Sequence, residues 1–176
     1  MQFDNYSIRL LTIHDLQPYF EMVDRNRKRL ESFFTGTVSK TKTFEDTRNF
    51  IAEILQKATE RTYFPFLLIN TSTNKVIGFF DLKNIDWNIP KSEVGCYIDE
   101  EYAGKGITAK AFEVFCDHCF KEYNFKKLFL RTHKSNIAAQ KVAEKCGFEI
   151  EGTIRRDYKT TAGELVDLIY YGRLNN

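Results

Sequence analysis

Several things are scarce in this sequence, and each scarcity removes a class of protein. Only three prolines and three histidines occur in 176 residues, so the composition is not that of an extended or disordered chain. No apolar run approaches the roughly 20 residues that span a bilayer. The start, Met1 to Arg9, has neither the basic opening nor the apolar core of a secretory signal, so no membrane is expected and the expected location is the cytoplasm. Net charge is only +2, too little for a long-range field that would select nucleic acid. The densest basic run, Arg25 to Arg29, reads as the solvated end of a helix. Cysteine is sparse too. Cys116 and Cys119 form a C-x-x-C inside a helical pattern, but a zinc ribbon needs two such pairs and a redox C-x-x-C opens its helix. Buried, reduced thiols and no metal are expected.

What is abundant is apolar and aromatic material. Hydrophobic residues make up 43% of the chain, and sixteen phenylalanines lift the aromatic share to 15%. That suffices to fill the core of one domain spanning residues 1–176. Hydrophobic periodicity gives the order β-α-α-β-β-β-α-β-α-β-β. The first strand is expected at Ser7 to Leu11, and His14-Asp15 opens a helix. Thr43 caps a second helix, with Phe50, Ile51, Ile54 and Leu55 as its buried stripe. Strands follow at Tyr63 to Ile69, Val76 to Leu82 and Glu93 to Ile98, with Asn84 to Lys91 as a connection. A helix runs from Gly106 to about Tyr123, then a strand from Lys127 to His133 and a short helix from Asn136 to Lys145. Two strands, Phe148 to Tyr158 and Glu164 to Arg173, close the chain as a hairpin. The expected class is α/β (α+β), a mixed sheet covered by helices.

One segment carries chemistry. A strand ending at Tyr97-Ile98 feeds the turn Ala103-Gly104-Lys105-Gly106, which opens directly into a helix at Ile107-Thr108-Ala109. Glycines let a backbone approach a ligand closely. The first N–H groups of a helix lack partners and carry the positive end of its dipole, which suits a phosphate. The turn lacks the G-K-[ST] of a Walker loop, and Ala109 replaces the third glycine of a dinucleotide fingerprint.

Glu101-Tyr102-Ala103-Gly104-Lys105-Gly106 resembles the [QR]-x-x-G-x-[GA] signature of the GNAT superfamily of N-acetyltransferases, with Glu101 in place of the usual Gln or Arg. Downstream, Asn136 and Glu144-Lys145-Cys146-Gly147-Phe148 resemble the family's N…EK-x-G-F ending. Phe148 to Gly152 and Asn26 to Phe34 resemble the RimJ/RimL branch, which acetylates ribosomal-protein N-termini. The resemblance implies about seven strands and about four helices, with a splayed cofactor cleft between the fourth and fifth strands. It implies acetyl-CoA as cofactor, bound by the backbone near Tyr97 and Ile98, by the amides of Gly104, Lys105, Gly106, Ile107, Thr108 and Ala109, and by Asn136. Glu93 and Glu151 are alternative general bases. Asp167 is a candidate for the substrate amine, and Phe33, Phe34 and Trp87 for the walls of its pocket. Two family proton donors are missing, because Ala143 and Ala139 stand where a tyrosine and a serine are usual.

The leading expectation is transfer of acetyl to a protein α-amine, such as that of a ribosomal protein. A small amine (polyamine or amino sugar) and a non-catalytic coenzyme A-binding role are the alternatives. Dimers are common in the branch, so a homodimer is a further expectation.

Overall fold

The computed structural model describes residues 1–175. Strands β1 (Gln2–Phe3), β2 (Tyr6–Leu10), β3 (Phe64–Asn70), β4 (Lys75–Asp86), β5 (Lys91–Ile98), β6 (Lys127–His133), β7 (Glu149–Lys159) and β8 (Leu165–Leu174) form one sheet, ordered β1-β2-β3-β4-β5-β6-β8-β7. Five helices accompany it: α1 (Leu16–Leu30), α2 (Thr35–Lys40), α3 (Phe44–Thr59), α4 (Ile107–Tyr123) and α5 (Ile137–Lys145).

Side chains of a strand alternate between faces, and here the alternation sorts the phenylalanine-rich interior into two cores. Phe66, Leu68, Phe80, Leu82, Val94 and Ile98 point to α4 and its Phe112 and Phe115. Their neighbours Leu67, Ile69, Phe79 and Tyr97 point the other way, to Tyr19, Met22 and Ile51 of α1 and α3. This double burial explains why β3 reads as a nearly continuous apolar run.

Local signals place the helices. Thr43 is the expected N-cap, and the structure closes a capping box with Asp46: Asp46 N–H donates to Thr43 Oγ1 at 3.1 Å and Thr43 N–H to Asp46 Oδ2 at 3.1 Å. At the first helix the expectation needs adjustment. A 3-10 turn, Ile13–Asp15, precedes α1, and the buried Asp15 carboxylate takes Thr12 N–H at 2.8 Å and Arg9 at 2.6 Å.

Other differences have plain causes. Thr35–Lys40 contains a glycine and β-branched residues, poor helix formers, yet it forms α2 with Val38 buried. β4 continues to Asp86 because Asn84 adopts φ 48° at a register shift, which keeps the ladder going through the expected connection. The short β1 adds an eighth strand, so the expected fourth and fifth strands are β5 and β6. All four cysteines are free, and Cys116, Cys119 and Cys146 are buried. Among the described residues no helix is long and apolar enough to cross a membrane.

Candidate active site

The site begins where two strands part. β5 and β6 are parallel neighbours only at Lys91–Lys127, Ser92–Leu128 and Glu93–Phe129. Both strands run on, to Ile98 and His133, without further pairing to each other. On its other side β5 stays paired to β4, Gly78 facing Ile98 and Phe79 facing Tyr97. Asp99 N–H donates to Ile77 O at 2.7 Å. In an antiparallel ladder hydrogen-bonded and non-bonded pairs alternate, so the peptide groups of Tyr97 turn to β4 while those of Cys96 and Ile98 face the gap. A guanidinium N–H of Arg29 on α1 donates to the Ile98 carbonyl. Tyr97 contributes differently. Its ring is buried against Phe34, 5.0 Å between centroids, and its hydroxyl is 2.9 Å from that of Tyr19.

At the mouth of the gap lies the glycine turn. Gly104 and Gly106 have φ of 73° and 78°, conformations that L side chains avoid, and a Cβ on either would meet nothing within 4 Å. Gly106 is the N-cap of α4, and among the described residues no side chain caps that end. The opening amides of α4 therefore lack a side-chain cap and lie next to the Cys96 and Ile98 peptide groups, of which the Ile98 carbonyl is met by Arg29. α1 holds this corner in place. Asn26 Oδ1 accepts from Glu100 N–H at 2.9 Å, and Arg25 Nε donates to the buried Asp99 at 2.6 Å. Burial alone would raise the Asp99 carboxyl, but hydrogen bonds from Arg25 and Glu101 N–H hold it below the usual range. Lys75 and Lys105 both sit 5.7 Å over the Tyr102 ring; Lys75 is paired with Glu101 at 2.5 Å, and Lys105 adds positive charge. Asn136, N-cap of α5, accepts from Ala139 N–H at 3.2 Å through its side-chain oxygen. Its amide nitrogen has no partner among the described residues. An anionic cofactor with an amide-bearing arm fits this donor set: helix amides and lysines for phosphates, strand peptide groups for the arm.

Below the last rung, on the α1–α3 face, lies a polar floor. Glu93, 4% exposed, accepts from Asn84 at 2.6 Å and from Arg131 at 2.9 Å, both on Oε2, while Oε1 is 4.0 Å from Lys83. Lys83 also contacts Asp81 at 3.3 Å, and Asp81 accepts from Tyr63 at 2.7 Å. Burial pulls the Lys83 ammonium down, and the Asp81 and Glu93 carboxylates raise it by more. Burial and Asp81 push the Tyr63 hydroxyl well above its ordinary range, so it stays a donor. Gly95 leaves room for this network, since a Cβ there would lie 2.8 Å from Lys83 Nζ and crowd the Asp81 carboxylate, displacing both side chains. Arg131 continues the network to Asp157 at 3.1 Å, which also accepts from Tyr170 at 2.8 Å.

The residues singled out in the sequence separate into groups. Glu93, Phe34 and the 104–109 turn gather around the gap. Glu151 is on the same face but sits over Gly172, held by Lys127 at 2.6 Å, and in register Phe129 lies between it and Glu93. Phe33 is half-buried beside Phe34. Trp87 does not join them. It stacks on Phe125 at 5.3 Å, below the closed end of the β5–β6 pair, because the β4–β5 turn carries it there. Asp167 is exposed and accepts from Arg156 N–H at 2.9 Å rather than facing the gap. Asp81, Lys83, Arg131, Asp157 and Arg29 are additions from the structure. For the first two a signal existed, since they alternate with Phe80 and Leu82.

The comparisons agree with this geometry. A family model described as an acetyltransferase (GNAT) domain matches residues 6–149. The chain is 25% identical over 153 residues to "Probable N-acetyltransferase YjcK" of Bacillus subtilis, covering 86% of this chain and 84% of that one. Its fold superposes on ribosomal-protein-S5-alanine acetyltransferase of Vibrio fischeri with a TM-score of 0.91 and 25% identity, over 100% of this chain and 96% of the other. RimL, an L7/L12 α-N-protein acetyltransferase solved with coenzyme A, shares the fold at a TM-score of 0.91 and 17% identity, over 98% and 95% of the two chains. A mixed sheet splayed beside an uncapped glycine-turn helix, together with this family match, leads to one assignment: the chain belongs to the GNAT N-acetyltransferases.

Proposed function

We propose that this chain, acting as a single domain over residues 1–176 in the cytoplasm, moves acetyl from acetyl-CoA directly to an amine. A protein α-amine, as on a ribosomal protein, is the favoured acceptor. The observation that carries the reading is the parting of β5 from β6 beside the uncapped start of α4. Acetyl-CoA would supply an activated thioester carbonyl and a thiolate leaving group.

The protein's own residues then have defined tasks. Amides of Gly104 to Ala109 hold the pyrophosphate, with Lys105 adding charge. Peptide groups of Ile98 and Cys96 bond the pantetheine arm, and Asn136 contacts it. Tyr97 supports this strand through its buried ring, although its own peptide group turns to β4. Glu93 takes the acceptor's proton. Asn84 and Arg131 fix one of its oxygens, which leaves Oε1 to receive the proton, directly or through water. An α-amine, with a pKa of about 7.7–8.0 against about 10.4 for lysine, asks least of such a base. Neither Ala139 nor Ala143 can donate a proton, and the Tyr97 hydroxyl is turned to Tyr19. The leaving thiolate then takes its proton from the attacking nitrogen or from water, with the Tyr102 and Ser135 hydroxyls as the alternative donors. Phe33 and Phe34 wall the acceptor entrance.

The test is thiol release from acetyl-CoA with a panel of N-terminal peptides, polyamines and amino sugars. Release that depends on a peptide α-amine supports the reading. Preference for a polyamine or sugar would replace the acceptor, and tight coenzyme A binding with no release on any amine would overturn the reaction.

A further inference from the structure

The β7–β8 hairpin contains an irregularity that faces the site. Register passes from Ile154–Leu168 directly to Tyr158–Val166. Three residues of β7, Arg155 to Asp157, thus stand opposite the single Asp167 of β8. Arg156 takes φ 55°, and its N–H is bonded to Asp167 Oδ1 at 2.9 Å. A bulge of this kind re-aims side chains. In a regular strand Asp157 and Tyr158 would point to opposite faces, yet both bond on the α1–α3 side. Asp157 reaches Arg131 and Tyr170 on the polar floor, and the Tyr158 hydroxyl donates to Thr35 Oγ1 at 2.6 Å.

We propose that Asp157 binds the ammonium form of the acceptor, and that Asp167 is the positioning residue that holds it there through the bulge. The inference rests on the acetyltransferase reading and assigns the acceptor side of that same site. Asp157 uses Oδ2 for both Arg131 and Tyr170, its other oxygen has no partner among the described residues, and its side chain is 25% exposed. Arg131 joins it to Glu93, the residue assigned the acceptor's proton. Three carboxylates on the floor, Asp81, Glu93 and Asp157, face two cations, Lys83 and Arg131, so one negative charge is left over. An amine arriving as ammonium cancels that charge. Transfer of one N–H proton to Glu93 leaves a neutral amine with a free electron pair and a floor with no net charge. The acceptor class selected is a cationic primary amine rather than an anionic or neutral one.

Steady-state kinetics on the best acceptor of the panel tests this with Asp157→Asn, Asp157→Glu and Asp167→Ala. For Asp157→Asn the acceptor KM should rise about tenfold, the effect of losing one charge-assisted bond, while the KM for acetyl-CoA and the coenzyme A affinity stay within about twofold. Asp157→Glu should recover part of the loss, and Asp167→Ala should raise the same KM about threefold. Added salt should raise the acceptor KM of the wild type and leave that of Asp157→Asn nearly flat. Where Asp157→Asn does not fold, the exposed Asp167→Ala carries the test with the same split between the two KM values. An unchanged acceptor KM in an active enzyme, or a loss confined to kcat, overturns the proposal alone. A wild type inactive on every amine overturns the acetyltransferase reading and this proposal with it.

Discussion

Glu93 and Phe129 are the last facing residues of β5 and β6. Above them the strands part, and the Ile98 carbonyl is met by Arg29 rather than by a neighbouring strand. Below them the same Glu93 belongs to the polar floor, bonded to Asn84 and Arg131. One rung therefore joins the cofactor gap to the acceptor side. Glu93→Gln keeps the shape and removes the charge. It should lower kcat at neutral pH about 100-fold, the scale of a general base, with coenzyme A affinity unchanged by titration calorimetry. Glu151→Gln is the comparison, and its effect should be several-fold smaller because Lys127 holds that carboxylate across Phe129.

Gly106→Ala separates backbone strain from ligand binding. At φ 78° with nothing within 4 Å of the added carbon, the cost is conformational, about 1–2 kcal/mol, read by urea unfolding. Coenzyme A affinity should fall about tenfold, since the turn must relax to carry a side chain. Gly95→Ala behaves oppositely: its backbone conformation is ordinary, but the new methyl meets Lys83 Nζ and Asp81. A cost of about 1–3 kcal/mol is expected from overpacking, with loss of activity in folded protein.

Asp99 ties the loop to Arg25, and its carboxyl is depressed in the folded state. A depressed acid stabilises the fold above its unfolded pKa of about 3.9 and loses that contribution as pH falls through the lower folded value. Asp99→Asn should therefore destabilise at pH 7, by about 1–3 kcal/mol given an Arg25 partner one-third exposed, and show a shallower acid arm below pH 4. Denaturant unfolding at pH 7 and pH 3 checks both.

Tyr158→Phe removes the bonds to Thr35 Oγ1 and Thr35 N–H, at 2.6 and 2.9 Å. It should cost about 1 kcal/mol and speed hydrogen exchange in residues 33–40, leaving the amides of α4 unchanged.

Much of this was legible in the sequence because it is local. Gly104 and Gly106 sit where a strand gives way to a helix, Thr43 and Asp46 announce α3, and alternation marks the strands. The acceptor floor was harder to see. It draws Asp81 and Lys83 from β4, Glu93 from β5, Arg131 from β6 and Asp157 from β7, and no spacing along the chain links them. Position along the chain points to Asp167, whereas the bulge opposite it turns Asp157 inward, and a bulge has no reliable composition cue. Residue type groups Trp87 with Phe33 and Phe34, but the β4–β5 turn stacks it on Phe125 instead.

Amide NMR of the 104–109 segment during titration with coenzyme A tests the central claim most directly. Large shifts and slowed exchange at Gly104 to Ala109, Cys96 and Ile98, with dephosphopantetheine alone perturbing only the strand residues, are the predicted result. Tight binding of coenzyme A with those amides unmoved would contradict the account.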